Sequence, residues 1–248
     1  MLMNRMMKKL SFVIIFLISM VSGCVIPASA QNLPASGAKI SFSESMWDFG
    51  YVPKAGTVTH TYMIKNIGTD TLIIVKVRPD CGCTSTPLTQ KRIPPNDSAE
   101  MKIFFDPKKV ATTETMKKLQ VISNDPNNPF AETQFTAKIG VANSLVKLTP
   151  PEIDFDTVTP GAVEVSRTVT IENISGEKLT VSRIEGPGED VEIRLNSRTI
   201  KPGESIQLLA LLKKGTASVN LHTSLTLNFE CSKVARVSIP ILGEIVSR

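Results

Sequence analysis

Three blocks of this chain occur twice in the same order, and that repetition limits the fold more than any other feature. W-D-F-G-Y-V, starting at Trp47, returns as I-D-F-D-T-V, starting at Ile153. Y-M-I-K-N-I-G-T-D-T-L, from Tyr62 to Leu72, returns as V-T-I-E-N-I-S-G-E-K-L, from Val169 to Leu179. R-I-P-P-N-D-S, from Arg92, returns as T-I-K-P-G-E-S, from Thr199. The offset is 106 residues at the first match and 107 at the later two. Shared order at near-constant spacing is the mark of a duplicated domain, here residues 39–142 and 145–248 with a junction at Ala142-Asn143-Ser144. Each copy has about a hundred residues, the size of a small β-sandwich. The short junction implies two sandwiches set end to end with limited freedom.

The local pattern agrees with strands. From Val58, every second residue (Val58, His60, Tyr62, Ile64) can face a core, with Thr57, Thr59, Thr61 and Lys65 opposite. In the second copy Val163, Val165, Val169 and Ile171 alternate with Glu164, Ser166, Thr168, Thr170 and Glu172. Period-two alternation marks a strand with one face buried and one in water. Further strands are expected at Leu72–Val77, Ala99–Phe105, Met116–Ile122 and Thr133–Val141, and in the second copy at Leu179–Ile184, Ser205–Leu212, Leu221–Phe229 and Val234–Ile241. Turn formers punctuate them: Asn66-Ile67-Gly68, Pro94-Pro95-Asn96, Pro187-Gly188, Pro202-Gly203 and the run from Asn124 to Pro129. No amphipathic helical period interrupts this order. The expected fold is therefore all-β, two tandem Ig-like β-sandwich domains after an N-terminal signal segment.

That segment, residues 1–30, has a basic start ending in Lys8-Lys9 and then an apolar run from Leu10. V-S-G-C, residues 21–24, resembles a bacterial lipobox, in which Cys24 would carry the lipid; A-S-A before Gln31 offers ordinary signal cleavage instead. Either route exports the mature chain, and lipidation at Cys24 would hold it at the membrane, facing the periplasm. Net charge excludes one class of partner. The +5 of the whole chain includes Arg5, Lys8 and Lys9, so 25 bases and 23 acids remain after the leader, too nearly balanced for a nucleic-acid surface.

The first copy, with W-D-F-G, G-T-V, N-I-G, L-I-I, D-C-G-C-T, I-P-P-N and F-F-D-P in that order, resembles the domain-of-unknown-function 1573 family. These are extracytoplasmic Ig-like modules common in Bacteroidetes, similar in pattern to Hydin-type and major-sperm-protein-type sandwiches. The full pattern runs from Ile40 to about Val141; the second copy keeps the skeleton without the C-G-C. The resemblance implies a sandwich used for attachment or recognition, and no assigned activity.

Candidate chemistry centres on Cys81 and Cys83. A bridge between them would need the chain to bend at Gly82, because an extended step sets two such Cα atoms about 6.6 Å apart. Zinc wants three or four N/S ligands, and the chain offers two adjacent thiols and two histidines. Copper(I) accepts two sulfurs, and a redox role would need a helix or base to lower a thiol pKa. The pair thus stands as a disulfide, thiol or metal site, with a structural role favoured. Cys231 lies in the other copy and its oxidation state is left open. No G-x-S-x-G, H-E-x-x-H or P-loop occurs.

These observations lead to an expected function: a non-catalytic, exported, lipid-anchored protein without cofactor or metal, serving as an interaction or scaffold module of the cell envelope. Trp47, Tyr51 and Tyr62 are its expected contacts with an envelope protein partner, since aromatics anchor interfaces. The alternative is periplasmic thiol redox or copper handling through Cys81 and Cys83. A pilus-assembly chaperone also has two Ig-like domains and a basic leader, but its long donor strand and clustered cleft cations are not evident.

Overall fold

The computed structural model describes residues 37–140, 145–159, 165–213, 219–232 and 235–246. The leader with Cys24 and the junction at 142–144 lie outside the described residues. The alternating segments all become strands. The first copy holds β1 (Ile40–Phe42), β2 (Met46–Val52), β3 (Val58–Asn66), β4 (Leu72–Pro79), β5 (Thr84–Ser85), β6 (Arg92–Ile93), β7 (Ser98–Phe105), β8 (Glu114–Ser123) and β9 (Phe130–Ile139). The second holds β10 (Val146–Thr149), β11 (Ile153–Val158), β12 (Val165–Asn173), β13 (Leu179–Glu185), β14 (Val191–Leu195), β15 (Thr199–Ile200), β16 (Ser205–Leu212), β17 (Val219–Glu230) and β18 (Ala235–Ile245).

The two copies share one topology. A sheet ordered β1-β3-β7-β5 faces β2-β9-β8-β4-β6, and in the second copy β10-β12-β16-β14 faces a sheet running β15-β13-β17-β18, with β11 beside β18. In each copy the second strand pairs in parallel with the last, β2 with β9 and β11 with β18. Each copy closes its own core: Phe49, Phe105 and Phe135 pack against one another in the first, and Phe155, Leu208 and Phe229 lie in that of the second. The fold is all-β, two tandem sandwiches, as expected.

One buried side chain is used identically in both. Asn66 Nδ2 donates to Asp70 O (2.8 Å) and Ile93 O (2.9 Å), while its Oδ1 accepts from Gly68 N (3.0 Å). Asn173, 107 positions later, donates to Glu177 O (2.7 Å) and Ile200 O (2.9 Å) and accepts from Ser175 N (2.9 Å). Each amide thus closes the turn after the third strand and ties that turn to the short sixth strand. The next turn repeats as well: Asn96 (φ 63°) and Gly203 (φ 75°) take the same left-handed position, each donating its N–H to the carbonyl of its buried Asn at 2.9 Å. Both residue types tolerate that conformation, which explains the change from P-N to P-G between the copies.

The copies do not sit merely end to end. β18 also pairs with β2, Val237 opposite Tyr51, so the two larger sheets become one of ten strands. Thr59, expected to face water, is buried because Ser224 covers it: Thr59 N donates to Ser224 Oγ and that hydroxyl donates to Thr59 O, both at 3.0 Å. Ser238 Oγ donates to Phe49 O (2.8 Å) and shares a hydrogen bond with Thr226 Oγ1 (2.8 Å). Small hydroxyls, each partnered, therefore line the joint.

Removing either buried amide deletes three hydrogen bonds at a buried turn, and a group left short of a partner there costs about 1–3 kcal/mol. Asn66→Ala and Asn173→Ala are each expected to lower unfolding stability by roughly 2–4 kcal/mol in urea titrations. A change within about 0.5 kcal/mol would show that water replaces these bonds without loss.

Candidate functional site

At the C-G-C turn, the chain leaves β4 at Pro79 and enters β5 at Thr84, and the bend brings the Cα atoms of Cys81 and Cys83 to 5.2 Å, where they form a disulfide. The turn is tied on two sides. Asp80 N donates to Lys118 O and Asp80 Oδ2 accepts from Lys118 N, both at 3.1 Å, and Asp106 N donates to Cys83 O at 2.9 Å. Cys83 is buried in the first core, Cys81 is half-exposed, and Thr84 Oγ1 lies 3.5 and 3.7 Å from their sulfurs. A ring this short constrains the unfolded chain little, so the bridge acts locally, fixing the turn. Cys231 packs half-buried against the second core. Among the described residues no cluster of three or more His, Cys, Asp or Glu is placed to hold a metal.

The more elaborate arrangement lies where the copies meet. Trp47 stacks on His60, centroids 3.7 Å apart and planes within 11°, and the guanidinium carbon of Arg236 stands 3.9 Å from the indole centroid. Two flat groups so close to one ring cannot share a face, so the indole is held between the imidazole of its own copy and a cation of the other. Among the described residues Trp47 Nε1 and Arg236 Nε have no hydrogen-bond partner, and ring contact holds the two groups together. Glu185 Oε1 anchors the cation at 3.3 Å, accepts from Asn228 Nδ2 at 2.7 Å, and is itself largely buried. Glu44 Oε1 lies 2.6 Å from His60 Nε2.

Beside this stack a cleft of about 350 Å³ opens between the copies, lined by Trp47, His60, Lys102, Glu185, Pro187 and Ser224 among others. Lys102 Nζ crosses it to donate to His222 O at 3.1 Å. Burial pushes the Lys102 ammonium below its ordinary pKa, with Glu100 opposing. His60 is also lowered from 6.5, by burial first; the Glu44 hydrogen bond and charge oppose this without reversing it, and Arg236 adds to the lowering.

The expected contact residues need correction. Tyr62 has no exposed surface and Trp47 only 8%, so neither is available to an external partner. Tyr62 instead donates its hydroxyl to Gln134 O at 2.7 Å, and burial raises its pKa so that it stays a neutral donor. Tyr51 is half-buried at the joint, its ring under Lys138 Nζ at 5.4 Å. Trp47, Tyr51 and Tyr62 thus serve the first core and the joint. Sequence reasoning missed Arg236, Glu185 and Gly50, the residues that make the joint. Gly50 has φ 63°, and a Cβ there would fall 2.1 Å from Arg236 O. The signal was the difference between two matched blocks, Gly in W-D-F-G against Asp in I-D-F-D.

Fold and repeated motif define a class: an all-β protein of two Ig-like sandwiches, the first bearing a disulfide turn. Residues 40–139 match the family described as "Protein of unknown function (DUF1573)", so the first sandwich is a domain of that family. No curated protein matches the chain. Among solved structures, a protein of unknown function from Porphyromonas gingivalis W83 is 13% identical, covering 83% of this chain and 99% of that one with a TM-score of 0.33. The YadV chaperone is 11% identical over 81% and 98% of the two chains, TM-score 0.33. The Pseudomonas aeruginosa CupB2 chaperone is 11% identical over 81% and 98%, TM-score 0.32. Scores this low add nothing to the strand order described above.

The lowered His60 pKa sets a sign. An unfolded His binds its proton near pH 6.5, the buried one only at lower pH, so stability is full above about pH 6.5 and falls as pH drops below it. Urea midpoints across about pH 5 to 8 should show that decline, and His60→Gln should flatten it. Equal slopes in both proteins would mean that carboxylates alone cause the loss.

Trp47 is the sole Trp of the chain, so its emission reports the joint directly. Gly50→Ala forces a Cβ against the Arg236 carbonyl. Its expected effect is a red-shifted Trp47 emission in a protein whose β-sheet circular dichroism is unchanged. An unshifted spectrum would show that the joint accommodates the methyl.

Proposed function

We propose that the protein is a non-catalytic interaction module, exported and held at the cell envelope by a lipid on Cys24, which presents the outer sheet face of its first copy to a protein partner. One observation carries this reading. Large apolar side chains stand in water on that face: Val75 (63% exposed) in the bulge of β4 and Phe130 (58%) at one end, Met46 and Met116 toward the other. Phe130 pairs with Ile122 across β9 and β8, extending the apolar end. Between the ends lie polar side chains, Lys118 with Glu132 (3.5 Å) and Gln120 with Glu132 (3.4 Å). The cluster of Phe130, Ile122 and Val75, bordered by these polar side chains, has the apolar centre and polar rim of a protein contact. The locked joint supports the reading, because a rigid pair of sandwiches holds such a face in a fixed direction at little entropic cost.

The thiol-exchange alternative rests on the half-exposure of Cys81 beside buried Cys83. One experiment separates the two. A photo-crosslinking residue replaces Phe130, Val75 or, as control, the exposed Ile174 of the second copy, in the full chain and in a Cys81→Ser/Cys83→Ser background. The expected result is one recurring adduct from positions 130 and 75 only, surviving loss of both thiols, with Cys24→Ala moving the protein from the membrane to the soluble fraction. Adducts that vanish with the thiols would favour exchange chemistry, and none at either position would remove the proposed face.

A further inference from the structure

Because the copies share a topology, the edge of β2 that receives β18 has a counterpart in the second copy: the outer edge of β11. The two edges are built alike. Both strands shift register after their first Asp, at Asp48/Tyr51 and Asp154/Thr157. In both, that Asp accepts from the N–H two residues on, Gly50 N (2.9 Å) and Asp156 N (2.8 Å), and the accepting turn carries a left-handed residue, Gly50 at 63° and Asp156 at 56°. What occupies them differs. In the first copy Phe49 O accepts from Ser238 Oγ of β18, and Gly50 lets the Arg236 carbonyl pass where a Cβ would stand.

In the second copy the equivalent carbonyl, Phe155 O, accepts from Arg167 Nη2 at 3.2 Å. Arg167 Nε donates to Asp154 O at 2.6 Å, and Nη2 also donates to Asp156 Oδ2 at 2.8 Å. The guanidinium carbon lies 5.9 Å from the Phe155 ring centroid. Arg167 stands on β12 at the position His60 takes on β3, 107 residues earlier. One side chain therefore occupies in cis the acceptor that, in the first copy, a hydroxyl of β18 serves, together with the carbonyl of Asp154 beside it.

We infer that the outer edge of β11 is a strand-docking edge held shut by Arg167 and Asp156, and that the occupant it excludes is a second copy of this chain. The choice of occupant follows from the first copy, whose equivalent edge is filled by a strand of this same chain. Exposed edges offer unpaired backbone groups to any neighbour, and two identical β11 edges meet antiparallel about a twofold axis. The planar fork of Arg167 reaches two carbonyls and a carboxylate together; a Lys has one ammonium for the same task. The Asp156 Cβ adds bulk at the position Gly50 leaves open. The inference is independent of the proposed partner face, which lies on the first copy.

The test compares full-length wild type, Arg167→Ala, Arg167→Ala/Asp156→Gly and Arg167→Lys by light scattering over a concentration series, with hydrogen exchange read on peptides spanning 153–158. The expected outcome is one-chain mass for wild type. A concentration-dependent doubling is expected for Arg167→Ala and more strongly for the double variant, with new protection confined to β11. Arg167→Lys keeps the aliphatic stem and the charge, so it decides the matter if Arg167→Ala fails to fold, and it should associate more than wild type. Folded variants that stay monomeric overturn the inference. So does association that leaves exchange at 153–158 unchanged, or a wild type already paired through β11.

Discussion

The parallel pairing of β18 with β2, at Val237 and Tyr51, is the contact on which the rest of the molecule depends. Without it the chain would be two sandwiches on a short tether, each with its own core. With it, one side of β3 leaves water, Thr59 loses its solvent, and Ser224 must supply the hydrogen bonds. The same pairing carries Arg236 over Trp47 and sets Glu185 beside it. The cleft, the lowered His60 pKa and the burial of the lone indole are consequences of that one seam.

Duplication also separates what the fold requires from what each copy adds. Asn66 and Asn173, the bulges of β4 and β13, and the left-handed turns at Asn96 and Gly203 recur because both sandwiches need the same bends satisfied. Gly50 and Asp156, His60 and Arg167, Trp47 and Ile153 differ because one edge is joined and its counterpart is not. Sites are grafted onto folds at such positions, and here the internal comparison finds them without any second protein.

Much of the fold was legible in the sequence. The repeat placed two copies, and the alternation placed the long strands to within their frayed ends, since a half-buried sheet writes its period into side-chain polarity. The edge strand V-E-I-R-L at Val191–Leu195 alternates too, but five residues beside a turn are easily passed over. The candidate site was read less well. Trp47 and Tyr62 were expected at a surface because aromatic residues favour interfaces; Tyr62 follows the inward parity of Val58 and Ile64, which was the better guide. Thr59 and Ser224 carry outward parity, and nothing local tells a strand that another domain will cover it. The disulfide needed the bend at Gly82, a backbone feature that spacing alone leaves open.

The chemistry of the joint explains why it must be built within one chain. Its contacts are hydroxyls, backbone carbonyls and a stacked cation, and each net hydrogen bond is worth only about 0.5–1.5 kcal/mol. Two separate molecules would have to offset about 4–15 kcal/mol of lost translational and rotational freedom before such contacts held them. A short linker offsets part of that, because an effective concentration on the order of millimolar is about a thousandfold above a micromolar solution, or about 4 kcal/mol. A polar seam is therefore strong in cis and weak in trans, so the duplicated domain gains a rigid partner without becoming adhesive. The β11 edge lacks this protection, because backbone pairing along a bare edge lengthens with every residue added. That difference gives a physical reason for the second copy, and not the first, to keep an arginine folded over its own carbonyls.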